Sequence, residues 1–238
     1  MNLVLLEQAE VEAGRDVALS GRRYDHVKTI HRAKVGDSLR VGVVDGCVGE
    51  AVVTEIDDHE VRLSIGELAE PAPAPLKLVV CVALPRPPTL NKVLQQLTAM
   101  GIKSFHFFHS NRVEKSFWQS HALRDEKIGA QLRLGLEQGR DTKMPEVRWH
   151  RGFRVFVEEE LVTLLATVDS GYFAHVGATQ RCPTNTCVSL VVVGPEGGFL
   201  PFEVDRLEGA GLQPLGLGPR PLRVETACVS LAARLGIS

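Results

Sequence analysis

The 238-residue chain reads as an α/β protein in which a small β-rich domain precedes a larger domain built on a parallel sheet. Three observations carry that reading. Ser189-Leu190-Val191-Val192-Val193 is a continuous apolar run ending at Gly194-Pro195-Glu196-Gly197-Gly198, as expected of a strand buried on both faces with a glycine loop at its carboxyl end. Leu76 to Leu84, about Thr89 to Met100, and Ile102 to Phe108 alternate as strand, helix and strand, the mark of a right-handed parallel crossover. Ahead of both lie short runs of period-two alternation, gathered around Asp45-Gly46, a dipeptide that favours a hairpin turn.

Taken in order, residues 1 to 70 form the β-rich domain. Tyr24 to Ala33 predicts a short helix bearing His26, His31 and Arg32. Ser38 to Val44 and Cys47 to Val53 are the hairpin strands, and Glu60 to Leu68 is a third run, so a meander closing into a barrel is the simplest arrangement. Glu70-Pro71-Ala72-Pro73-Ala74-Pro75 is a linker, because alternating prolines remove backbone donors and favour extended geometry. The second domain then runs over 76–238.

Within it, Phe117 to Gln138 predicts one long helix with Ile128, Leu132 and Leu136 on a common face, and Phe153 to Ala166 another. Tyr172 to Val176 is a short strand leading into Gly177-Ala178-Thr179-Gln180-Arg181, a third ligand-side loop. Gln213 to Gly218 is a second glycine-ended strand, followed by a mostly apolar helix from about Leu222 to Leu235. In an open parallel sheet, ligands bind at the carboxyl ends of strands, and glycine lets them approach the main chain. Two such strands would make one pocket.

Composition narrows the function. Hydrophobic residues make up 44% and charged residues 24%, with no apolar run approaching a membrane span. The first residues, Met1 to Glu7, lack a basic leader, so a soluble cytoplasmic protein is expected. Cys47, Cys81, Cys182, Cys187 and Cys228 are scattered without a CxxC pair, which points to reduced thiols and no zinc site. His106 and His109 are three apart in a predicted strand and so face opposite ways; no metal is expected from them. The net charge of −2 argues against indiscriminate nucleic-acid binding, but Arg22, Arg23, Lys28, Arg32, Lys34 and Arg40 crowd a short stretch that could face phosphates. The glycine loop lacks the lysine of a P-loop, and Gly216-Leu217-Gly218 lacks the third glycine of a dinucleotide fold.

Gly194-Pro195-Glu196-Gly197-Gly198-Phe199, followed about twenty residues later by Leu217-Gly218-Pro219-Arg220-Pro221-Leu222-Arg223-Val224-Glu225-Thr226-Ala227, resembles the bacterial 16S rRNA uridine-N3 methyltransferase family. That family belongs to the knotted SPOUT methyltransferase class. Upstream, Ser110-Asn111-Arg112 falls where the family has Ser-Glu-Arg, and His26 to Asp37 resembles its His-containing helix and Lys-x-Gly-Asp turn. The first helix of the second domain departs from the pattern: Arg86 replaces a lysine, and Gln95 to Gly101 lacks the usual glutamate.

The resemblance implies a SPOUT-type parallel-sheet domain with a deep C-terminal trefoil knot, preceded by a PUA-like β-barrel that helps hold RNA. It further implies S-adenosylmethionine as cofactor, 16S rRNA in the 30S subunit as substrate, no metal, and a homodimer with the site near the subunit interface. Gly194, Pro195, Glu196, Gly197, Leu215, Leu217, Gly218 and Leu222 are the expected cofactor residues, mainly through backbone groups. Methylation of N3 requires an exposed base, removal of its proton and stabilisation of charge on O2 and O4. Arg220 and Arg223 are the candidate charge partners, and Glu225 is either a base or an acid favoured in the first turn of its helix. Arg23, Arg112 and Arg140 are candidate RNA contacts, each with an ion-paired or surface alternative. Two other readings stay open: a SPOUT enzyme acting on a different RNA, such as tRNA ribose, and a non-catalytic RNA-binding protein that has kept the fold.

Overall fold

A computed structural model describes residues 2–179, 183 and 187–236. Gln180 and Arg181, part of the loop predicted after the short strand, and Cys182 lie outside the described residues. The chain separates into two compact units: residues 1–74 with 133–144, and residues 75–132 with 145–238.

The first unit holds a five-stranded sheet. Strand β1 (Val4–Leu6) is followed by helix α1 (Gln8–Glu12), strand β2 (Asp16–Leu19) and helix α2 (Gly21–Asp25). Strands β3 (Ser38–Val43), β4 (Val48–Ile56) and β5 (Val61–Glu70) complete it, in the order β1-β3-β4-β5-β2. Only β1 with β3 is a parallel pair. Asp45 turns the β3–β4 hairpin with a φ of 58°, as its Asp-Gly sequence predicts. Register shifts near Gly49 and Thr54 bend the β4–β5 pair, and Val4, Leu6, Val17, Leu19, Val41, Val53 and Leu63 share one core.

The helix expected from Tyr24 instead starts at Gly21, widens into a π-turn over His26–His31 and stops at Arg32, where φ is 53°. Tyr24 and Val27 are buried, and the Tyr24 hydroxyl donates to the Asp57 carbonyl at 3.0 Å, so tertiary anchoring decides where this segment winds. Residues 133–144 belong to the same unit. Glu137, almost wholly buried, accepts a two-pronged hydrogen bond from Arg22 at 2.8 and 2.6 Å, and Thr142 donates to the Gly46 carbonyl at 2.6 Å.

The second unit is a six-stranded, wholly parallel sheet. Its elements are β6 (Leu78–Ala83), α3 (Pro87–Ala99), β7 (Ser104–Phe108), α4 (Asp125–Gly139, which continues into the first unit) and β8 (Glu146–His150). There follow α5 (Phe153–Val155), a π-turn over Phe156–Leu161, α6 (Val162–Leu165), β9 (Ser170–Ala174), β10 (Ser189–Val193), α7 (Pro201–Gly209), β11 (Gln213–Leu215) and α8 (Val224–Leu235). The order is β11-β9-β10-β6-β7-β8. Every residue of β10 is buried, which explains why its sequence is apolar without alternation. Helix α3 starts on Pro87 and buries Leu90, Val93, Leu94 and Leu97, one stripe of a 3.6-residue period.

Two helices predicted as continuous are not. The stretch before Asp125 forms 3-10 turns at Lys115–Gln119 and His121–Leu123 rather than extending α4 back to Phe117. Trp118 accounts for this: its indole N–H donates to His109 Nδ1 at 2.9 Å and its ring meets Trp149 edge-on, so the segment follows the side chain onto the sheet. The helix expected over Phe153 to Ala166 is interrupted by the π-turn, which keeps Phe156, Val157 and Leu161 buried. Among the described residues, Cys47, Cys81, Cys187 and Cys228 are unpaired thiols. No helix among them is long and apolar enough to cross a membrane.

Candidate functional site

The order of the second sheet places the carboxyl ends of β9, β10 and β11 side by side. Around them is a cavity of about 390 Å³, a size within the range of small-molecule sites. Its lining comes from the ends of all three strands, the loops that follow β10 and β11, and the first turn of α8. Apolar side chains and main chain predominate, with Glu196 and Arg220 as the charged contributors.

The loop after β10 is a tight turn closed by the Gly198 N–H donating to the Pro195 carbonyl at 2.8 Å. Its glycines are there for space. A Cβ at Gly194 would come within 3.0–3.2 Å of the buried Phe199 ring, and one at Gly197 within 3.0 Å of Arg112 Cδ. Arg112 also donates a hydrogen bond to the Gly197 carbonyl. From the other side, the wholly buried Glu203 accepts the backbone N–H groups of Asn111 (2.9 Å) and Leu200 (2.8 Å). The loop after β7, the glycine loop and the start of α7 are thus one hydrogen-bonded assembly.

The structure brings Gly194, Pro195, Glu196, Gly197, Leu215, Leu217, Gly218, Leu222 and Arg220 to this cavity. Arg223 and Glu225 are not among its lining residues. Arg223 is exposed at the N-cap of α8, whereas Glu225 is buried in the helix's first turn. A hydrogen bond from its own backbone N–H, joined by Lys92 Nζ at 3.3 Å, holds the Glu225 carboxyl below the usual carboxylate range. An acid so held is a weak proton acceptor at neutral pH.

Arg23 is committed within its own unit, donating to Glu10 at 2.9 and 2.6 Å and to the Leu5 carbonyl at 3.1 Å. Arg140 is exposed and left-handed, with φ of 55°, just past the end of α4. His175, just past the end of β9, also lines the cavity, and its backbone N–H donates to the Leu215 carbonyl at 3.0 Å. Two residues of this neighbourhood escaped the sequence reading. Lys92 is the partner of Glu225, and its sequence signal is that it supplies the sole basic side chain of α3. The double acceptor role of Glu203 was signalled by an acid three residues after Leu200 at a helix start.

S-adenosylmethionine fits this donor set. The cavity has apolar walls for the adenine, is lined by the main chain of Gly194, Gly197, Gly198 and Gly218, and asks for no phosphate cradle.

Comparison with known proteins is consistent across three sources. The model of the RNA methyltransferase domain family matches residues 72–236. A ribosomal RNA small subunit methyltransferase E of Treponema pallidum is 27% identical over 241 residues, spanning 98% of this chain and 90% of that protein. A Legionella pneumophila protein solved with the bound cofactor SAM superposes with a TM-score of 0.76 at 24% identity, covering 100% of this chain and 99% of the other. The ribosomal RNA small subunit methyltransferase E of Neisseria gonorrhoeae, bound to S-adenosyl methionine, gives 0.71 at 20% identity over 98% and 95% of the two chains. With its glycine-walled cavity lying inside the matched region, this chain belongs to the RNA methyltransferase domain family.

Proposed function

We propose that this chain is an S-adenosylmethionine-dependent methyltransferase that modifies N3 of a uridine in 16S rRNA of the small ribosomal subunit, working in the cytoplasm as a homodimer. The observation that carries the reading is that both glycine-ended motifs, separated in sequence by α7, line one cavity at the carboxyl edge of the sheet. The names of the relatives support ribosomal RNA as substrate.

Gly194, Pro195, Glu196, Gly197, Leu215, Leu217, Gly218 and Leu222 hold the cofactor, chiefly through main chain. Bound there, S-adenosylmethionine would supply a methyl group from its sulfonium centre, with the neutral thioether as the leaving group, so the transfer needs no metal. The chain's own task is to align an unstacked uracil and stabilise the charge that spreads to O2 and O4 as N3 gives up its proton. Arg220, at the cavity, is the first candidate for that role, and Arg223, two residues before Glu225, is the second. Glu225 is read as a helix-start acid that fixes α8 on α3 through Lys92. Arg112 positions the glycine loop and has further N–H groups to offer RNA, Arg140 is free to meet a phosphate, and Arg23 would have to leave Glu10 to do so.

The finer architecture follows the same reading. A trefoil knot is supported by the insertion of β10 between β9 and β6, and by the return of α8 onto α3 after β11 has paired outside β9. A PUA-like barrel is supported by the single core that the two ends of the first sheet share. A dimer is supported by the side of α8 bearing Val229, Ser230 and Ala233, which one chain leaves partly or fully exposed. The test is methyl transfer from radiolabelled S-adenosylmethionine to 30S subunits from a strain lacking the modification. Label in the small-subunit rRNA is expected; transfer to tRNA alone, or cofactor-free RNA binding, would overturn the reading.

A further inference from the structure

Away from the β9–β11 edge, the other end of the same sheet gathers a second cluster of chemistry. His106 on β7, His150 at the end of β8 and Glu160 in the π-turn after α5 each present a ligand atom, and the three atoms lie within 4.8 Å of one another. His106 Nδ1 is 3.1 Å from His150 Nε2 and 3.7 Å from Glu160 Oε1. In the parallel register His106 pairs with Arg148, so His150, two residues on, projects from the same face.

We propose that His106, His150 and Glu160 form a binding site for a divalent transition cation of the zinc type. Two imidazole nitrogens and one carboxylate oxygen are a common zinc donor set, and three protein ligands leave the fourth tetrahedral position for water. The spacing suits it: two ligand atoms each about 2.0–2.1 Å from a tetrahedral ion stand about 3.3 Å apart. With Nδ1 turned to an ion, His106 Nε2 carries the ring proton and has Ser104 Oγ, 3.3 Å away, as its acceptor. His106 is 2% exposed, so its ring is held in place by the packing around β7. Arg148 touches Glu160 at 3.4 Å but makes its shorter bond, 2.7 Å, to Glu146, which leaves Glu160 able to turn to an ion. The three ligands come from β7, β8 and the π-turn, so an ion there would tie this edge of the sheet to the helical segment packed on it.

The experiment is zinc binding to the chelator-stripped full chain, read by equilibrium dialysis with elemental analysis and by the visible absorption of the cobalt-substituted protein. Stoichiometric zinc and tetrahedral cobalt bands are expected. Glu160→Gln and His150→Gln should each weaken binding by roughly 10-fold or more, and Ser104→Ala by about 10-fold. His109→Gln, whose ring serves Trp118 and not the cluster, should leave it unchanged. Glu160 and His150 are partly exposed, so their variants are expected to fold, which circular dichroism checks. Absence of stoichiometric zinc in the parent chain, or binding that survives both ligand variants, overturns the proposal.

Discussion

Glu203 accepts the backbone N–H of Asn111 at 2.9 Å with one carboxylate oxygen while its other oxygen takes that of Leu200 at 2.8 Å. A single buried side chain thereby joins the loop after β7 to the start of α7, on either side of the glycine turn. Glu203→Ala leaves both N–H groups without this acceptor. Unfolding in urea should show a loss of about 2–4 kcal/mol, and calorimetry a weaker affinity for S-adenosylmethionine. Unchanged stability would mean that the loops are held by other means.

Gly194 permits close packing of Phe199 beneath the cavity. Gly194→Ala sets a methyl group 3.0–3.2 Å from three atoms of that buried ring, which has little room to give. A destabilisation of about 1–3 kcal/mol is expected in thermal melts, with reduced cofactor binding. Gly197→Ala should be milder, since it meets the flexible side chain of Arg112.

Arg220 and Arg223 can be separated by kinetics. Arg220→Ala should lower kcat by about 10²–10³-fold, the scale of removing one preorganised donor, while leaving S-adenosylmethionine affinity within a few fold. Arg223, outside the cavity lining, should cost less. Equal effects, or an effect on cofactor binding alone, would reassign both.

Glu225 offers a pH test of its role. Its carboxyl is held below the ordinary value of 4.5 by its own N–H and by Lys92, so it favours the folded state above that pH. The contribution fades as pH falls through the lowered value. Melting temperatures of the parent and of Glu225→Gln should therefore differ at neutral pH and converge in acid. If Glu225 were the base, Glu225→Gln would instead abolish turnover at every pH.

Arg23 is predicted to act on stability before RNA. Its pair with Glu10 is partly buried, and losing it through Arg23→Ala should cost about 1–3 kcal/mol in urea unfolding. RNA affinity measured on the folded variant should change little unless the pair opens on binding.

Much of this was legible in the chain itself because its signals were local. The unbroken apolar run of β10, the Asp-Gly hairpin and the glycine-ended strands each announce a conformation within a few residues, and those motifs lead to the cavity. What the sequence hid depends on tertiary partners. Trp118 draws its segment out of α4 by reaching His109, and Tyr24 and Val27 set the winding of the π-turn. The meeting of His106 with His150 and Glu160 required the β7–β8 register, which no spacing in the sequence reveals.

The identity of the methylated atom separates this reaction from every other RNA methylation. Small-subunit rRNA from 30S particles treated with the protein and S-adenosylmethionine should be digested to nucleosides and separated by mass spectrometry. The new methyl group is expected as N3-methyluridine, and Arg220→Ala is expected to suppress it. A methyl group on a ribose 2′-oxygen, or on another base, would contradict that expectation.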